Sequence, residues 1–158
     1  TSLTDIFGMP PAPDRTAPPP RAVVLARSPV WSGDPWLRHK STRRGVYERH
    51  RREATAYLQA AGWDAGARFD ARLWTGRGGP TERPTGTLMA DVAGPLVPPP
   101  VACGLLPGTL RAHLLASGTV SERVLRVQEL PSATALWLVN AVRGWVPITL
   151  VEPPGQPA

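Results

Sequence analysis

At 158 residues and 42% hydrophobic, the chain is the size of one domain and apolar enough to build a core, while 20 prolines and 15 glycines demand many loops. Its single cysteine, Cys103, excludes an internal disulfide and suits a reducing, cytoplasmic setting; no apolar run reaches the roughly 18 residues of a membrane span, and no segment reads as a signal peptide. The formal charge of +6 suits an anionic partner, either nucleic acid or a small polycarboxylate or phosphate.

Residues 1–20 read as a tail or inter-domain linker, because Met9-Pro10-Pro11-Ala12-Pro13 and Ala17-Pro18-Pro19-Pro20 favour extended polyproline conformations. With Thr rather than Met in first place, the expectation is a processed chain, a fragment or a domain cut from something longer. One domain is expected over residues 21–151, with a second tail at 152–158. The apolar run at 22–26 reads as a buried strand, and residues 28–35 as a loop.

The stretch that follows, Asp34-Pro35-Trp36-Leu37-Arg38-His39-Lys40-Ser41-Thr42-Arg43-Arg44, holds the only lysine; the remaining 17 basic residues are arginine. A guanidinium stays charged and cannot form an imine, whereas a lysine amine can once burial or nearby cations lower its pKa. Arg38, Arg43 and Arg44 are such cations. The competing reading is a stray surface lysine in a chain that writes arginine by default.

A helix is expected from just after Lys40, capped by Ser41 or Thr42 and stopped at Gly62. Val46, Tyr57, Leu58 and Ala61 would form its apolar face. Arg43, Arg49, Arg51 and Arg52 would form a basic face, partly neutralised by Glu48 and Glu53 at helical spacing. Such a face can grip nucleic-acid phosphates, or it can be a solvated face with internal ion pairs. No zinc spacing, recognition-helix signature or aromatic stacking motif accompanies it, so nucleic acid is not the expected partner.

Phe69, Ala71 and Leu73 alternate with charged residues as in a half-buried strand; a turn over residues 75–80 and a second strand at 87–92 then suggest a hairpin. No Gly-rich phosphate loop of the dinucleotide or mononucleotide type is present. Pro107 stands where a helix should begin, running to about Ser117, and free backbone N–H groups at such a start form an anion site. Residues 124–127 read as a strand, 128–134 as a short helix, 135–140 as a buried strand, 141–145 as a turn and 146–151 as the last strand. The pattern is mixed α/β in one domain.

Four motifs in this order carry a resemblance: His39-Lys40-Ser41-Thr42-Arg43-Arg44 with Tyr47, Gly78-Gly79-Pro80-Thr81-Glu82, Cys103-Gly104-Leu105-Leu106-Pro107-Gly108-Thr109-Leu110-Arg111, and Trp137-Leu138-Val139-Asn140-Ala141-Val142-Arg143-Gly144-Trp145. Together they are similar to the class IV pyridoxal-phosphate enzymes, nearest to aminodeoxychorismate lyase in the form fused behind the synthase that makes its substrate. The resemblance spans residues 21–151. It implies the larger, C-terminal domain of the D-amino-acid/branched-chain aminotransferase-like fold, a pseudo-barrel sheet with flanking helices. The small N-terminal half would come from the same or another chain, in a homodimer.

The resemblance also implies roles. Lys40 would hold pyridoxal 5′-phosphate as an imine and shuttle protons. Glu82 would keep the pyridine nitrogen protonated. The backbone N–H groups of Thr109 and Leu110 would hold the phosphate. Arg44 matches a family arginine at the cofactor, and Arg143 one that meets substrate carboxylates or serves local structure. The substrate would be a small anion, 4-amino-4-deoxychorismate, giving 4-aminobenzoate and pyruvate. Departures from the family pattern are Thr87 in place of an asparagine, Ala141 in place of a serine or threonine, and Pro80 in place of an apolar strand residue. Each weakens cofactor binding rather than imine chemistry. An amino-acid aminotransferase and a non-catalytic remnant remain the alternatives.

Overall fold

The computed structural model describes residues 21–26, 28–31, 33–39, 45–62, 69–72, 74 and 86–151. The two expected tails, the turn at 75–80 and the start of the helix after Lys40 lie outside them.

Strand β1, Arg21–Leu25, is the apolar run expected from the sequence. It is buried because it lies inside the sheet, parallel both to β2 (Phe69–Arg72) and to β5 (Gly144–Val151). Its side chains divide between two layers, as the period of two requires. Val23 and Leu25 face the main core with Leu88, Leu125, Leu130, Leu138 and Ile148. Val24 meets Ala54 and Leu58 of the long helix on the other face.

After β1, a one-turn helix that the sequence did not announce, α1 (Pro35–Arg38), begins where the loop expected at 28–35 ends. Asp34 Oδ1 accepts the Trp36 N–H at 2.9 Å, and Pro35 opens the turn, where its missing N–H costs nothing. Leu37 of this turn packs with Ala26, Val30, Tyr47 and Trp74. Trp74 fixes the loop to the sheet: its indole N–H donates to the Ala26 carbonyl at 2.7 Å, and its own carbonyl accepts the Val30 N–H at 2.7 Å.

Helix α2 runs Gly45–Ala60 and is reversed by Gly62, whose φ of 81° suits glycine. Its buried ridge is His50, Ala54 and Leu58, four residues apart, with Tyr57 half-buried. Ala61, expected on that face, is exposed because it follows the last helical residue. Arg49, Arg51 and Arg52 are exposed as expected. Glu53 lies 3.2 Å from His50 Nδ1 rather than against an arginine, and Arg52 Nε reaches the Glu48 carbonyl at 3.3 Å.

The strand order is β2-β1-β5-β4-β3, where β3 is Thr87–Asp91 and β4 is Ala135–Asn140. β2 and β3 therefore stand at opposite edges, and the expected hairpin between them does not exist. β1, α2 and β2 instead form a parallel crossover unit, which needs a connection of a dozen or more residues, here filled by the helix. The antiparallel part of the sheet is β3-β4-β5.

The β3 edge is covered. Val97 exchanges both backbone hydrogen bonds with Ala90, at 3.0 and 3.1 Å, and residues 121–123 bond in turn to Leu96 and Pro98. The strand expected at 124–127 is absent. Leu125 is buried and Val124 exposed, so the alternation is real, but no strand among the described residues pairs with the segment. It continues into a 3-10 helix, Val127–Ser132, close to the short helix expected from the sequence.

Helix α3, Thr109–Ala116, lies on the other face of β3 and β4. Its Leu110 and Leu114 pack with Met89, Trp137, Val139 and Trp145, and the two tryptophans meet edge to face at 6.2 Å.

Candidate cofactor site

The start of β3, the end of β4 and the start of α3 come together at one end of the sheet. In the β3–β4 register Thr87 faces Val139, so the first residue of one strand meets the next-to-last of the other. Gly86 makes that approach possible. A Cβ placed on it would sit 2.8 Å from the Val139 carbonyl oxygen, closer than side chains tolerate.

Pro107 does not itself begin α3; the helix starts two residues later. The Gly108 N–H folds back on the Leu106 carbonyl at 2.8 Å, while the Gly108 carbonyl accepts the first helical bond, from Ala112, at 3.0 Å. Gly108 is thus an extended N-cap (φ −67°, ψ 139°) with no side chain to cap the helix. The N–H groups of Thr109 and Leu110 have no acceptor within the helix. They present the positive end of its dipole. Thr87, only 2% exposed, lies against this start, its Oγ1 3.5 Å from the position a Cβ on Gly108 would take. Leu110 is buried in the α3 cluster and fixes the helix on the sheet, while the Thr109 side chain is exposed.

The β4–β5 turn stands at the same end. Asn140 Oδ1 accepts the N–H groups of Val142 at 2.9 Å and Arg143 at 2.8 Å, and Gly144 closes the turn with a φ of 63°. This is an Asx turn, and it leaves Ala141 and Arg143 exposed. The signal was present in the sequence, an asparagine four residues before a glycine between two apolar runs, but sequence reasoning gave Asn140 no role. It likewise gave none to Gly86 or Arg111.

Of the sequence-derived site residues, the structure gathers Thr87, Thr109 and Leu110 at the helix start and places Ala141 and Arg143 on the turn at the same end of the sheet. Lys40, Arg44 and Glu82 lie outside the described residues. α1 and His39 lead directly to Lys40.

Two ionisable groups elsewhere among the described residues are perturbed. Burial, and then the Glu122 charge, push the Cys103 thiol above its ordinary 9.0. The Arg123 side chain and then the Arg126 N–H hold Glu129 below its ordinary 4.5. Among the described residues no group of three His, Cys, Asp or Glu side chains could hold a metal ion.

The donor set suits a phosphate: two helix-start N–H groups beside a threonine hydroxyl, with no carboxylate among the residues gathered there. The amino-transferase class IV family model matches residues 6–151. The chain belongs to the class IV aminotransferase family. Its members use pyridoxal phosphate, and the helix start fits the phosphate of that group.

Solved structures agree. A protein from Mesorhizobium loti, provisionally assigned as an amino-acid aminotransferase, is 36% identical with a TM-score of 0.70, over 90% of this chain and 63% of its own. A Legionella pneumophila protein, provisionally assigned as a 4-amino-4-deoxychorismate lyase, is 23% identical with a TM-score of 0.71, over 85% of this chain and 48% of its own. A hypothetical aminotransferase from Mycobacterium tuberculosis, in its PLP-bound form, is 25% identical with a TM-score of 0.62, over 83% and 47%. The fold is that of these enzymes, mixed α/β. No curated protein matches. This class IV chain therefore spans 63% of the Mesorhizobium protein and about half of the other two.

Proposed function

We propose that this chain is the larger part of a pyridoxal-phosphate-dependent 4-amino-4-deoxychorismate lyase. The observation that carries the reading is the placement of an anion cradle and the exposed Arg143 turn at one end of the sheet. A phosphate-bearing cofactor and a carboxylate-bearing substrate could then be held side by side.

The Thr109 and Leu110 N–H groups bind the phosphate, with the Thr87 hydroxyl beside them. Glu82 would accept a hydrogen bond from the protonated ring nitrogen of the cofactor. Pyridoxal phosphate, when bound, supplies an electron sink for a carbon that loses its proton. Lys40 would be the residue that holds the cofactor covalently. Once the substrate amine has displaced it, the freed Lys40 amine would take the proton from the ring carbon that bears that amine. Arg38, Arg43 and Arg44 disfavour its protonated form and so keep the amine competent. Arg143 binds a substrate carboxylate, and Arg44 supports the cofactor side of the site. Loss of the ring proton and of the enolpyruvyl group, as the enol of pyruvate, leaves the aromatic 4-aminobenzoate.

The 36% identity to the Mesorhizobium protein favours a second reading, an amino-acid aminotransferase. Product analysis of the complete protein loaded with cofactor separates the two. Equimolar 4-aminobenzoate and pyruvate from 4-amino-4-deoxychorismate, without any keto-acid acceptor, supports the lyase. Turnover that requires a keto acid and yields an amino acid sinks it. A protein that neither binds the cofactor nor turns over would be the non-catalytic remnant.

The remaining part of the site is proposed to come from a preceding N-terminal half, in the same chain or another, within a homodimer. Sites of this kind form between domains. No role with nucleic acid is proposed, and no helix among the described residues is long and apolar enough to cross a membrane.

A further inference from the structure

Arg111 is the third residue of α3 and is 4% exposed. A cation in the first turn of a helix opposes the helix dipole, and burying a guanidinium is costly without partners. Something other than helix stability must hold it there. Its Nη2 donates to the Pro99 carbonyl at 3.0 Å and pairs with the Glu122 carboxylate, while Nε is buried without a partner. Pro99 lies in the stiff run Pro98-Pro99-Pro100, which leads into a 3-10 turn at Val101–Cys103 ahead of α3. Glu122 lies in the segment whose neighbours Ser121 and Arg123 bond to Leu96 and Pro98. One buried guanidinium therefore joins the first turn of α3 to the strand-like layer that covers the β3 edge.

We propose that Arg111 is a positioning residue for the anion cradle. It does not touch the ligand. It holds the first turn of α3, and with it the Thr109 and Leu110 N–H groups, at a fixed place relative to Thr87. The proposal rests on the reading of this helix start as the phosphate cradle. A cradle made only of backbone donors cannot adjust by rotamer, so its affinity depends on where the helix begins.

The test compares pyridoxal 5′-phosphate with pyridoxal, which lacks the phosphate, by equilibrium binding to the complete protein and its variants. Arg111→Ala should weaken binding of the phosphate-bearing form by about tenfold or more, as loss of a supporting partner does at other preorganised sites, and leave pyridoxal binding within about twofold. Arg111→Lys, which keeps the charge but is shorter and lacks the planar guanidinium whose Nη2 reaches both the Pro99 carbonyl and the Glu122 carboxylate, should recover only part of the loss. Glu122→Gln should show a smaller loss in the same direction, and it keeps the inference testable if Arg111→Ala fails to fold.

Equal weakening of both ligands in Arg111→Lys and Glu122→Gln would make Arg111 merely structural and overturn the proposal. Full recovery by Arg111→Lys would overturn it too, because charge rather than position would then be what matters. If the unsubstituted protein itself shows no preference for the phosphate-bearing form, the cradle reading fails, and the role of Arg111 fails with it. A preference that Arg111→Lys and Glu122→Gln leave intact sinks only the role of Arg111.

Discussion

Glu129 holds three groups at once. Its carboxylate takes the Arg123 guanidinium and the Arg126 N–H, each at 2.7 Å, and its carbonyl accepts the Ser132 hydroxyl at 2.7 Å. The first two bonds favour the ionised form and lower its pKa from 4.5. A folded-state pKa below the unfolded one contributes stability above the unfolded value, which is lost as pH falls through the folded value. Glu129→Gln should therefore lower stability at pH 7 by about 1 kcal/mol or less, since the site is solvent-screened. The difference should narrow in urea melts below pH 4.5. An equal deficit at pH 3 and pH 7 would show that packing, not charge, is what the substitution removes. At this scale the sequence revealed the chemistry better than the support. Lys40 stands out because it is the only lysine, and Thr109 and Leu110 because a Pro-Gly pair precedes them. Arg111 could not be singled out among 17 arginines, because its burial depends on Glu122 and Pro99, brought to it only by the fold.

Helix α3 offers a separation of backbone from side chain. If the cradle consists of N–H groups, Thr109→Ala should leave cofactor affinity nearly unchanged, since that side chain is exposed. Thr109→Pro keeps the helix, because proline is welcome at the first helical position and Gly108 already has the extended conformation that a following proline requires. It removes one donor. The loss of one hydrogen bond to a charged group is worth roughly 1.5–3 kcal/mol, or about tenfold to a hundredfold in the dissociation constant for pyridoxal phosphate. Titration of the two variants checks this, and equal affinities would remove the Thr109 N–H from the site. Elements with strong local patterns were legible: the apolar runs of β1 and β4, the Gly62 stop, the end of α3 near Ser117, and its Pro-Gly start to within two residues. Pairing was not. The β2 alternation looks the same whether its partner is β3 next in sequence or β1 across a helix, and the 124–127 segment alternates without any strand to pair with. Only the strand-helix-strand order of β1, α2 and β2 hinted at the parallel arrangement.

The whole molecule is a sheet with one chemically equipped end, and its relatives are longer than it is. The cofactor grip proposed among the described residues is the phosphate cradle at the start of α3. We expect the isolated chain to show no turnover, and activity to appear when the N-terminal half is restored in the same chain or supplied separately. Robust pyruvate release by residues 1–158 alone would contradict that division of labour. Light scattering on the complete protein should give a dimer; Trp31, 73% exposed, and Trp36, 43% exposed, are the proposed contact. The most direct test of the account is borohydride reduction of the complete, cofactor-loaded protein, followed by peptide mass analysis. Lys40 should carry the reduced pyridoxyl group, and neither Lys40→Ala nor Lys40→Arg should carry any, because a guanidinium cannot make the bond. An unlabelled Lys40, or turnover retained in Lys40→Arg, would contradict the account.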